Sequence, residues 1–348
     1  TNLSEVQDAG KVARRIVESL AQPFFIEGRE IFVTVSVGIA IFPNDGDSVD
    51  ALLKNADSAM YHAKEHGRNN LQFYSKPFNA AAHERLILEG ELRHAVMREE
   101  FVLYYQPQIN LRTSGIVGAE ALVRWQHPLH GLLPPAAFLP AAIDTGLIRA
   151  IDEWVLRTAC RHNQLWQQSG KISMRIGVNL SHSFFHSNAL LSVVEDALTQ
   201  TGMIPACLKL ELTESIAMRN VDASIVMLTT LKAMGVQLSI DDFGTGYSSL
   251  SYLQRLPINM VKIDQSFIHD ILTQASPAPI VRAIIAMAHS LGLSVVAEGV
   301  EREPQRVLLV EQGCDEAQGY LFGQPMPAEA FAALLPWSVC AKPGEPHS

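Results

Sequence analysis

The feature that most constrains the fold of this chain is a regular alternation of strand and helix patterns from Phe101 to about Leu335. Short apolar segments are each followed by a helical segment of roughly 10 to 20 residues, and this order is typical of βαβ units around a parallel sheet. The alternating part is close in length to a (β/α)8 barrel, which has roughly 250 residues. The sequence therefore predicts an α/β fold built on a TIM-type barrel.

One connection in this pattern is too short for a fully parallel barrel. The strands predicted over 101–109 and 116–122 are joined only by Asn110 to Gly115, whereas a parallel crossover needs about a dozen residues. These two strands are therefore predicted to be antiparallel. The expected fold is a modified barrel with one reversed strand.

Composition limits the classes of function. The chain has 348 residues, with 27 basic and 36 acidic side chains and a formal net charge of −9. An acidic chain is poorly suited to neutralise nucleic-acid phosphates, so we expect no DNA or RNA binding. No apolar run approaches the roughly 20 residues of a membrane-spanning helix. The four cysteines form no CxxC pair, which favours a reducing, cytoplasmic location.

The residues before the barrel form a separate predicted segment of α+β type. Its first helix has an apolar face made by Val12, Ile16, Val17 and Leu20. A hairpin over 24–42, a helix over 49–66 and a strand over 71–74 are predicted to follow. The predicted domains are this segment over 1–76, a linker helix over 77–99, the barrel over 100–336 and a disordered tail over 337–348. Because the chain begins with Thr1 rather than Met, we expect an upstream sensor or membrane tether to be missing from it.

Six predicted barrel strands each carry a polar side chain on the face opposite their apolar residues, near their C-terminal ends. Strand side chains alternate between two faces, and the apolar face of a barrel strand packs on the outer helices. The six groups are Glu120, Asn179, Glu211, Asp241, Lys262 and Glu298. For one inward acid a structural salt bridge is the simpler explanation. Six polar groups at the end where such barrels build active sites favour catalysis.

A buried set of carboxylates needs compensating positive charge. We expect a single inward lysine, Lys262. Its one positive charge is too small to compensate for the carboxylates, so divalent cations are expected. The donors are all oxygen atoms, which favours Mg²⁺ or Mn²⁺ over zinc. The adjacent Asp241 and Asp242 can serve two ions, and ions about 3.5–4 Å apart are used for in-line hydrolysis of phosphodiesters. The pattern by itself predicts a metal-dependent hydrolase or lyase.

Two other motifs resemble functional sites but are not assigned as such. His182 and His186 have the spacing of a metal pair on a helix, but they lack the HExxH glutamate, and we assign them to the surface. Asp242-Phe243-Gly244 matches the metal-binding triplet of protein kinases, but the chain has no Gly-rich phosphate loop and no HRD segment.

Seven motifs, in order, resemble those of the EAL-type cyclic di-GMP phosphodiesterase family over about residues 84–335. They are Glu120-Ala121-Leu122, Asn179-Leu180-Ser181, Glu211-Leu212-Thr213-Glu214-Ser215, Asp241-Asp242-Phe243-Gly244-Thr245-Gly246, Lys262-Ile263-Asp264, Glu298-Gly299-Val300-Glu301 and Gln318-Gly319-Tyr320. The first 75 residues resemble the C-terminal half of a GGDEF-type diguanylate cyclase domain. The motif that names the latter family is absent, so we expect no cyclase activity.

The resemblance implies roles for individual residues. One metal ion would be held by Glu120, Asn179, Glu211 and Asp241, and a second by Asp241, Asp242 and Glu298. Lys262 would hold the nucleophilic water or a phosphate oxygen, and Glu214 would steady the loop after Asp242. The implied catalytic residues are Glu120, Lys262, Glu298, Asp242 and Glu214, and the implied substrate contacts are Gln106, Arg124, Asn179, Glu301 and Gln318. Whether Glu298 or metal-bound hydroxide acts as the base stays open.

The activity implied by the resemblance is hydrolysis of one phosphodiester of cyclic di-GMP to linear pGpG. It implies two Mg²⁺ or Mn²⁺ ions, inhibition by Ca²⁺, and a homodimer. The alternative is a receptor that binds cyclic di-GMP without hydrolysis, or a regulatory module whose N-terminal segment sets activity.

Overall fold

A computed structural model of the chain describes residues 6–20, 24–26, 29–31, 33–65, 67–74, 88–172, 174–245, 250–272 and 277–336. The chain separates into two compact units, Thr1–Glu91 and Leu92–Ser348. The predicted tail and the beginning of the predicted linker helix lie outside the described residues, whereas residues 88–97 are helical. Among the described residues, no helix combines the length and apolar character needed to cross a membrane.

The first unit is a small α+β arrangement. Its elements are α1 (Val6–Leu20), β1 (Phe24–Ile26), β2 (Arg29–Ile31), β3 (Val37–Ile39), α2 (Val49–Glu65) and β4 (Leu71–Phe73). β1 and β2 form a hairpin that ends at Ile31. The predicted second arm, which continued to residue 42, is wrong beyond β2, because β3 pairs in parallel with β4. The predicted apolar face of α1 is partly wrong, because Val12 and Ile16 are exposed. Val17 is buried as predicted, and it is joined by Ala13, which was not predicted; their spacing of four residues places them on one stripe of the helix.

Ten strands belong to the described part of the second unit. They are β5 (Phe101–Asn110), β6 (Ile116–His127), β7 (Gly131–Leu133), β8 (Arg175–Asn179), β9 (Leu208–Thr213), β10 (Gln237–Phe243), β11 (Met260–Ile263), β12 (Ser294–Ala297), β13 (Glu316–Gln318) and β14 (Met326–Pro327). Eight of them close into a barrel, and the short β7 and β14 extend it beside β6 and β5. The barrel strands are parallel except for β5, which is antiparallel to both β6 and β13. The prediction of one reversed strand is confirmed.

Helices follow the barrel strands and pack on their outer faces. After residues 88–97, taken as α3, they are α4 (Pro135–Asp144), α5 (Ile148–Gln168), α6 (His182–Phe185), α7 (Leu190–Thr201), α8 (Glu214–Met218), α9 (Val221–Ala233), α10 (Leu250–Leu253), α11 (Gln265–His269), α12 (Ala278–Ser290), α13 (Glu303–Glu311) and α14 (Ala328–Leu334), with a 3₁₀ turn at Pro205–Cys207.

The outward residues of the strands form the core between the sheet and the helices. Val178, Leu210, Ile240, Val261 and Val295 are all fully buried. Burial of each such side chain contributes about 1.5–3 kcal/mol relative to exposure, so a one-residue slip that turned these residues inward would be strongly unfavourable. The apolar alternation therefore fixes which polar side chains point into the barrel.

Candidate active site and metal centre

Four carboxylates surround the ammonium group of Lys262 inside the barrel. Lys262 Nζ lies 3.1 Å from Glu120 Oε2, 2.6 Å from Glu211 Oε2, 3.1 Å from Asp241 Oδ2 and 2.6 Å from Glu298 Oε1. The lysine belongs to β11 and is fully buried, and the acids come from β6, β9, β10 and the residue after β12. Strand alternation thus brings together five of the six inward groups predicted from the sequence.

The sixth predicted group, Asn179, joins the cluster through Glu120. Asn179 Nδ2 donates a hydrogen bond to Glu120 Oε1 at 2.6 Å. The acids fall into two groups, each with carboxylate oxygens within 4.8 Å of one another, namely Glu120, Glu211 and Asp241, and Asp241, Asp242 and Glu298. Because both groups contain Asp241 and offer only oxygen donors, this cluster could hold hard divalent cations.

The adjacent Asp241 and Asp242 reach the same site because β10 contains a bulge. Ile240 lies opposite Val261, but Phe243 lies opposite Ile263, so β10 has one extra residue at this point. Asp242 has a φ of 54°, a left-handed conformation that is uncommon outside glycine. Strict alternation would place the two neighbouring carboxylates on opposite faces, and the bulge turns both towards the site.

Burial raises the pKa of several of these carboxyl groups. The pKa of Asp241 is raised to about 6 by burial and by neighbouring carboxylates, against the opposing effect of Lys262. Burial also raises the pKa of Asp242, and it raises the pKa of Glu298 well above its ordinary value. Protons therefore bind these carboxyl groups more readily than they bind exposed ones, and a nearby positive charge would favour the ionised forms.

A second lysine, Lys209, lies inside the barrel, so the expectation of a single inward lysine is wrong. Lys209 is 1% exposed and its Nζ lies 2.8 Å from Glu211 Oε1. Burial alone would raise the pKa of Glu211, but the positive charges of Lys209 and Lys262 outweigh burial and lower this pKa to about 2. The signal was present in the sequence, because residues 209 and 211 are two apart on one strand and share a face.

Even with two lysines, the five carboxylates of the two groups carry excess negative charge when all are ionised. Such an excess in a buried place must be neutralised by protons or by bound cations. The raised pKa values of Asp241 and Glu298 mean that these groups take up protons more readily than ordinary carboxyl groups do. The oxygen donors make the second one available to divalent ions.

Two further residues fix the positions of groups in the site. Gly177 in β8 lies against Glu211, and a Cβ at this position would overlap Glu211 Oε1. Glu214 Oε2 accepts a hydrogen bond from the Gly244 N–H at 3.2 Å. Glu214 is thus joined to the loop that the resemblance assigned to it, of which residues 246–249 lie outside the described part of the chain.

Besides Asn179, three of the predicted substrate contacts lie near the carboxylates. Gln106 and Gln318 are buried, and Gln318 Nε2 donates to Gln106 Oε1 at 2.9 Å and to Glu120 Oε2 at 2.8 Å. Arg124 is half-buried, and its guanidinium carbon lies 5.5 Å from the centre of the Tyr104 ring. This is a cation–π contact, which helps to hold the guanidinium group in place.

The other candidates are placed differently. Glu301 is exposed, its backbone N–H donates to Gln305 Oε1 at 2.9 Å, and it belongs to neither of the two carboxylate groups. His182 and His186 also stay outside the cluster. His182 Nε2 lies 3.1 Å from Arg219 Nη1, and His186 is exposed.

A buried acid that the sequence pattern did not single out supports the segment after Asn179. Asp152 in α5 accepts a hydrogen bond from the Ser181 N–H at 3.1 Å, and Ser181 Oγ accepts one from the Phe184 N–H at 3.3 Å. Burial raises the pKa of Asp152 to about 7. A single acid on an amphipathic helix has no periodic signal, so the sequence alone could not identify it.

Comparison with known families identifies the family to which the chain belongs. The model of the EAL domain matches residues 89–325, which is more than half of the chain. The chain belongs to the EAL domain family. The model of the diguanylate cyclase GGDEF domain matches residues 1–70, in agreement with the resemblance noted for the first segment.

Two curated relatives of this EAL chain come from Pseudomonas aeruginosa. The bifunctional diguanylate cyclase/cyclic di-GMP phosphodiesterase MucR is 48% identical over 331 residues, which cover 95% of this chain and 48% of MucR. The cyclic di-GMP phosphodiesterase NbdA is 42% identical over 334 residues, which cover 96% of this chain and 43% of NbdA. The chain thus spans about half the length of these relatives.

A solved EAL structure agrees with the fold. The PaMucR phosphodiesterase in its complex with c-di-GMP has a TM-score of 0.68 and 50% sequence identity to this chain. The match covers 70% of this chain and 99% of that one.

Proposed function

We propose that this chain is a metal-dependent phosphodiesterase that hydrolyses one phosphodiester bond of cyclic di-GMP to give linear pGpG. The observation that carries the proposal is the pair of carboxylate groups that share Asp241 beside Lys262. Asp241, Asp242 and Glu298 lie at the C-terminal ends of β10 and β12, where barrel enzymes build their active sites. The names of MucR and NbdA and the c-di-GMP complex of PaMucR support the choice of substrate.

The donor set fits divalent cations, because it is buried, contains only oxygen ligands and has more carboxylates than lysines. We propose two ions of Mg²⁺ or Mn²⁺, one on Glu120, Asn179, Glu211 and Asp241 and one on Asp241, Asp242 and Glu298. Such ions, when bound, activate a water molecule and stabilise negative charge on phosphoryl oxygens. Ca²⁺ prefers longer bonds and more ligands, so we expect it to occupy the site without supporting turnover.

The side chains of the site would bind and orient the reacting groups. Lys262 Nζ is suited to donate a hydrogen bond to the attacking water or to a phosphate oxygen. Glu298, whose pKa is raised by burial, is suited to accept the proton of that water. Arg124, whose guanidinium carbon lies over the Tyr104 ring, would pair with a phosphate oxygen of the substrate.

The remaining residues would contact the substrate or hold other groups of the site in place. Gln106 and Gln318 would contact the substrate or hold Glu120 in place, since Gln318 donates to both Gln106 and Glu120. Glu301 is exposed and would contact a part of the substrate away from the ions. Glu214 would keep the loop after Asp242 in its working position through the Gly244 N–H.

The experiment is incubation of the purified chain with cyclic di-GMP and Mg²⁺, Mn²⁺ or Ca²⁺, with separation of the products by chromatography. We expect pGpG with Mg²⁺ or Mn²⁺ and none with Ca²⁺. Glu120→Ala should lose turnover, while Glu311→Ala, which removes an exposed acid at the end of α13, should keep it. Binding of intact cyclic di-GMP under every condition would contradict hydrolysis and support a non-hydrolysing receptor.

Four further expectations stay proposals. We propose that the chain forms a homodimer, which light scattering on the purified chain would test. We propose that residues 1–76 lack cyclase activity, so incubation with GTP should give no dinucleotide. The domain limits at residues 76, 99 and 336, and an upstream sensor or tether, also stay predictions from the sequence.

A further inference from the structure

A continuous row of hydrogen bonds joins Lys209, on the inner face of β9, to the carboxylate of Glu120. Lys209 Nζ donates to Gln108 Oε1 at 2.8 Å, and Gln108 Nε2 donates to Gln318 Oε1 at 2.8 Å. Gln318 Nε2 then donates to Glu120 Oε2 at 2.8 Å and to Gln106 Oε1 at 2.9 Å. Lys209, Gln108 and Gln318 are 1%, 0% and 5% exposed, so water has little access to replace these bonds.

The two ends of this row set the direction of every amide in it. An ammonium group can only donate hydrogen bonds, and an ionised carboxylate can only accept them, whereas an amide does both. Lys209 therefore requires Gln108 to present its oxygen, which leaves the Gln108 amide N–H for Gln318. Glu120 requires Gln318 to present its N–H, which leaves the Gln318 oxygen for Gln108. Both ends demand the same direction, so the row has one arrangement that satisfies all its members.

We infer that Lys209 is a positioning residue for the metal centre, which acts on Glu120 through Gln108 and Gln318. This inference rests on the proposed function. Without the lysine, the Gln108 amide loses the partner that fixes its orientation. A reversed row would turn the Gln318 oxygen towards Glu120 Oε2, and two buried acceptors in contact without a proton between them are costly. Glu120 would move or the row would break, and a proposed metal ligand would lose its fixed position.

Lys209 also touches a second proposed ligand, because its Nζ lies 2.8 Å from Glu211 Oε1. A test must separate this direct contact from the row of amides. Lys209→Met removes both, because methionine has a similar length and no charge. Gln108→Met breaks the row and leaves Lys209 beside Glu211. The double variant shows whether the effects of the two single substitutions add, as they should not if both residues act through the same row.

The experiment is calorimetric titration of Mn²⁺ into the metal-free chain without substrate, with thermal unfolding of each variant as a check on folding. Loss of a residue that orients a metal ligand typically costs 10–100-fold in metal affinity. We expect a loss of at least about tenfold for Lys209→Met and for Gln108→Met. The double variant should be no worse than Lys209→Met alone.

The matched control is Asn163→Leu. Asn163 is fully buried in α5 and donates to the Met174 carbonyl at 3.1 Å, outside the row. We expect this variant to unfold at a lower temperature and to bind Mn²⁺ as the unaltered chain does. The control separates a local effect on the ligand from a general loss of stability.

Unchanged Mn²⁺ affinity in Gln108→Met would overturn the inference, even if Lys209→Met binds weakly, because Lys209 would then act through Glu211 alone. An additive loss in the double variant would overturn it as well. Absence of Mn²⁺ binding by the unaltered chain would refute the proposed metal centre itself, and with it the role of Lys209. The two failures are therefore distinguishable.

Discussion

Metal binding by this chain should weaken as the pH falls, because protons and cations compete for the same carboxylates. Burial and neighbouring carboxylates raise the pKa of Asp241 to about 6, and burial raises that of Glu298 further above its ordinary value. The ionised forms bind cations and the protonated forms do not. Affinity is therefore present above the raised pKa values and is lost as the pH falls through them.

The magnitude follows from the fraction of each group that is ionised. With a pKa of about 6, Asp241 is about nine-tenths ionised at pH 7 and about one-tenth ionised at pH 5, which lowers the apparent affinity about tenfold. Glu298 adds to the loss in the same direction. Glu211, with its pKa lowered to about 2, adds nothing in this range. An aspartate at its ordinary pKa of 3.8 would change its ionised fraction by less than about a tenth.

Calorimetry of Mn²⁺ binding at pH 5, 6 and 7 measures this effect. Titrations at pH 6 in two buffers with different ionisation enthalpies give the number of protons released, and we expect at least about half a proton from Asp241. Glu311→Ala serves as the control and should behave like the unaltered chain. Equal affinity at pH 5 and pH 7, with no proton released at pH 6, would refute the reasoning.

Three other changes should have measurable effects. Gly177→Ala should abolish turnover without unfolding the barrel, because the new Cβ overlaps the Glu211 carboxylate; turnover close to that of the unaltered chain would contradict this packing. Glu214→Ala should lower turnover by on the order of 10²-fold, since the Gly244 N–H loses its acceptor, and chromatographic rate measurements would check it. Burial raises the pKa of Asp152 from 3.8 to about 7, so its stabilising effect is complete below about pH 4 and is lost as the pH rises through about 7. Asp152→Asn should therefore raise the free energy of unfolding at pH 8, by at most about 4 kcal/mol, and should have little such effect at pH 4 in urea titrations.

Much of the fold could be predicted because it depends on local rules. The short connection before Ile116 excludes a parallel crossover, and the reversed β5 follows from that alone. Alternation along each strand placed Glu120, Glu211 and Asp241 inside the barrel, where the structure has them. These predictions succeed because burial of the outward apolar residues fixes the direction of every neighbour.

Other features depend on contacts between distant parts of the chain. The bulge that aligns Asp242 with Asp241 needs the register of β11, which the sequence of β10 does not contain. Asp152 becomes important only because α5 packs near the Ser181 N–H. Lys209 is a different case, since the alternation rule that placed Glu211 inside also places Lys209 inside, and a strict application of it would have found the second lysine.

The most direct test of the central claim is a single-turnover measurement with the chain in excess over cyclic di-GMP. The substrate is first bound in the presence of a chelator, and Mg²⁺ is then added in excess of the chelator. We predict intact cyclic di-GMP before the addition and conversion to pGpG after it. Cyclic di-GMP that stays bound and intact after Mg²⁺ is added would contradict the claim that this chain is a metal-dependent phosphodiesterase.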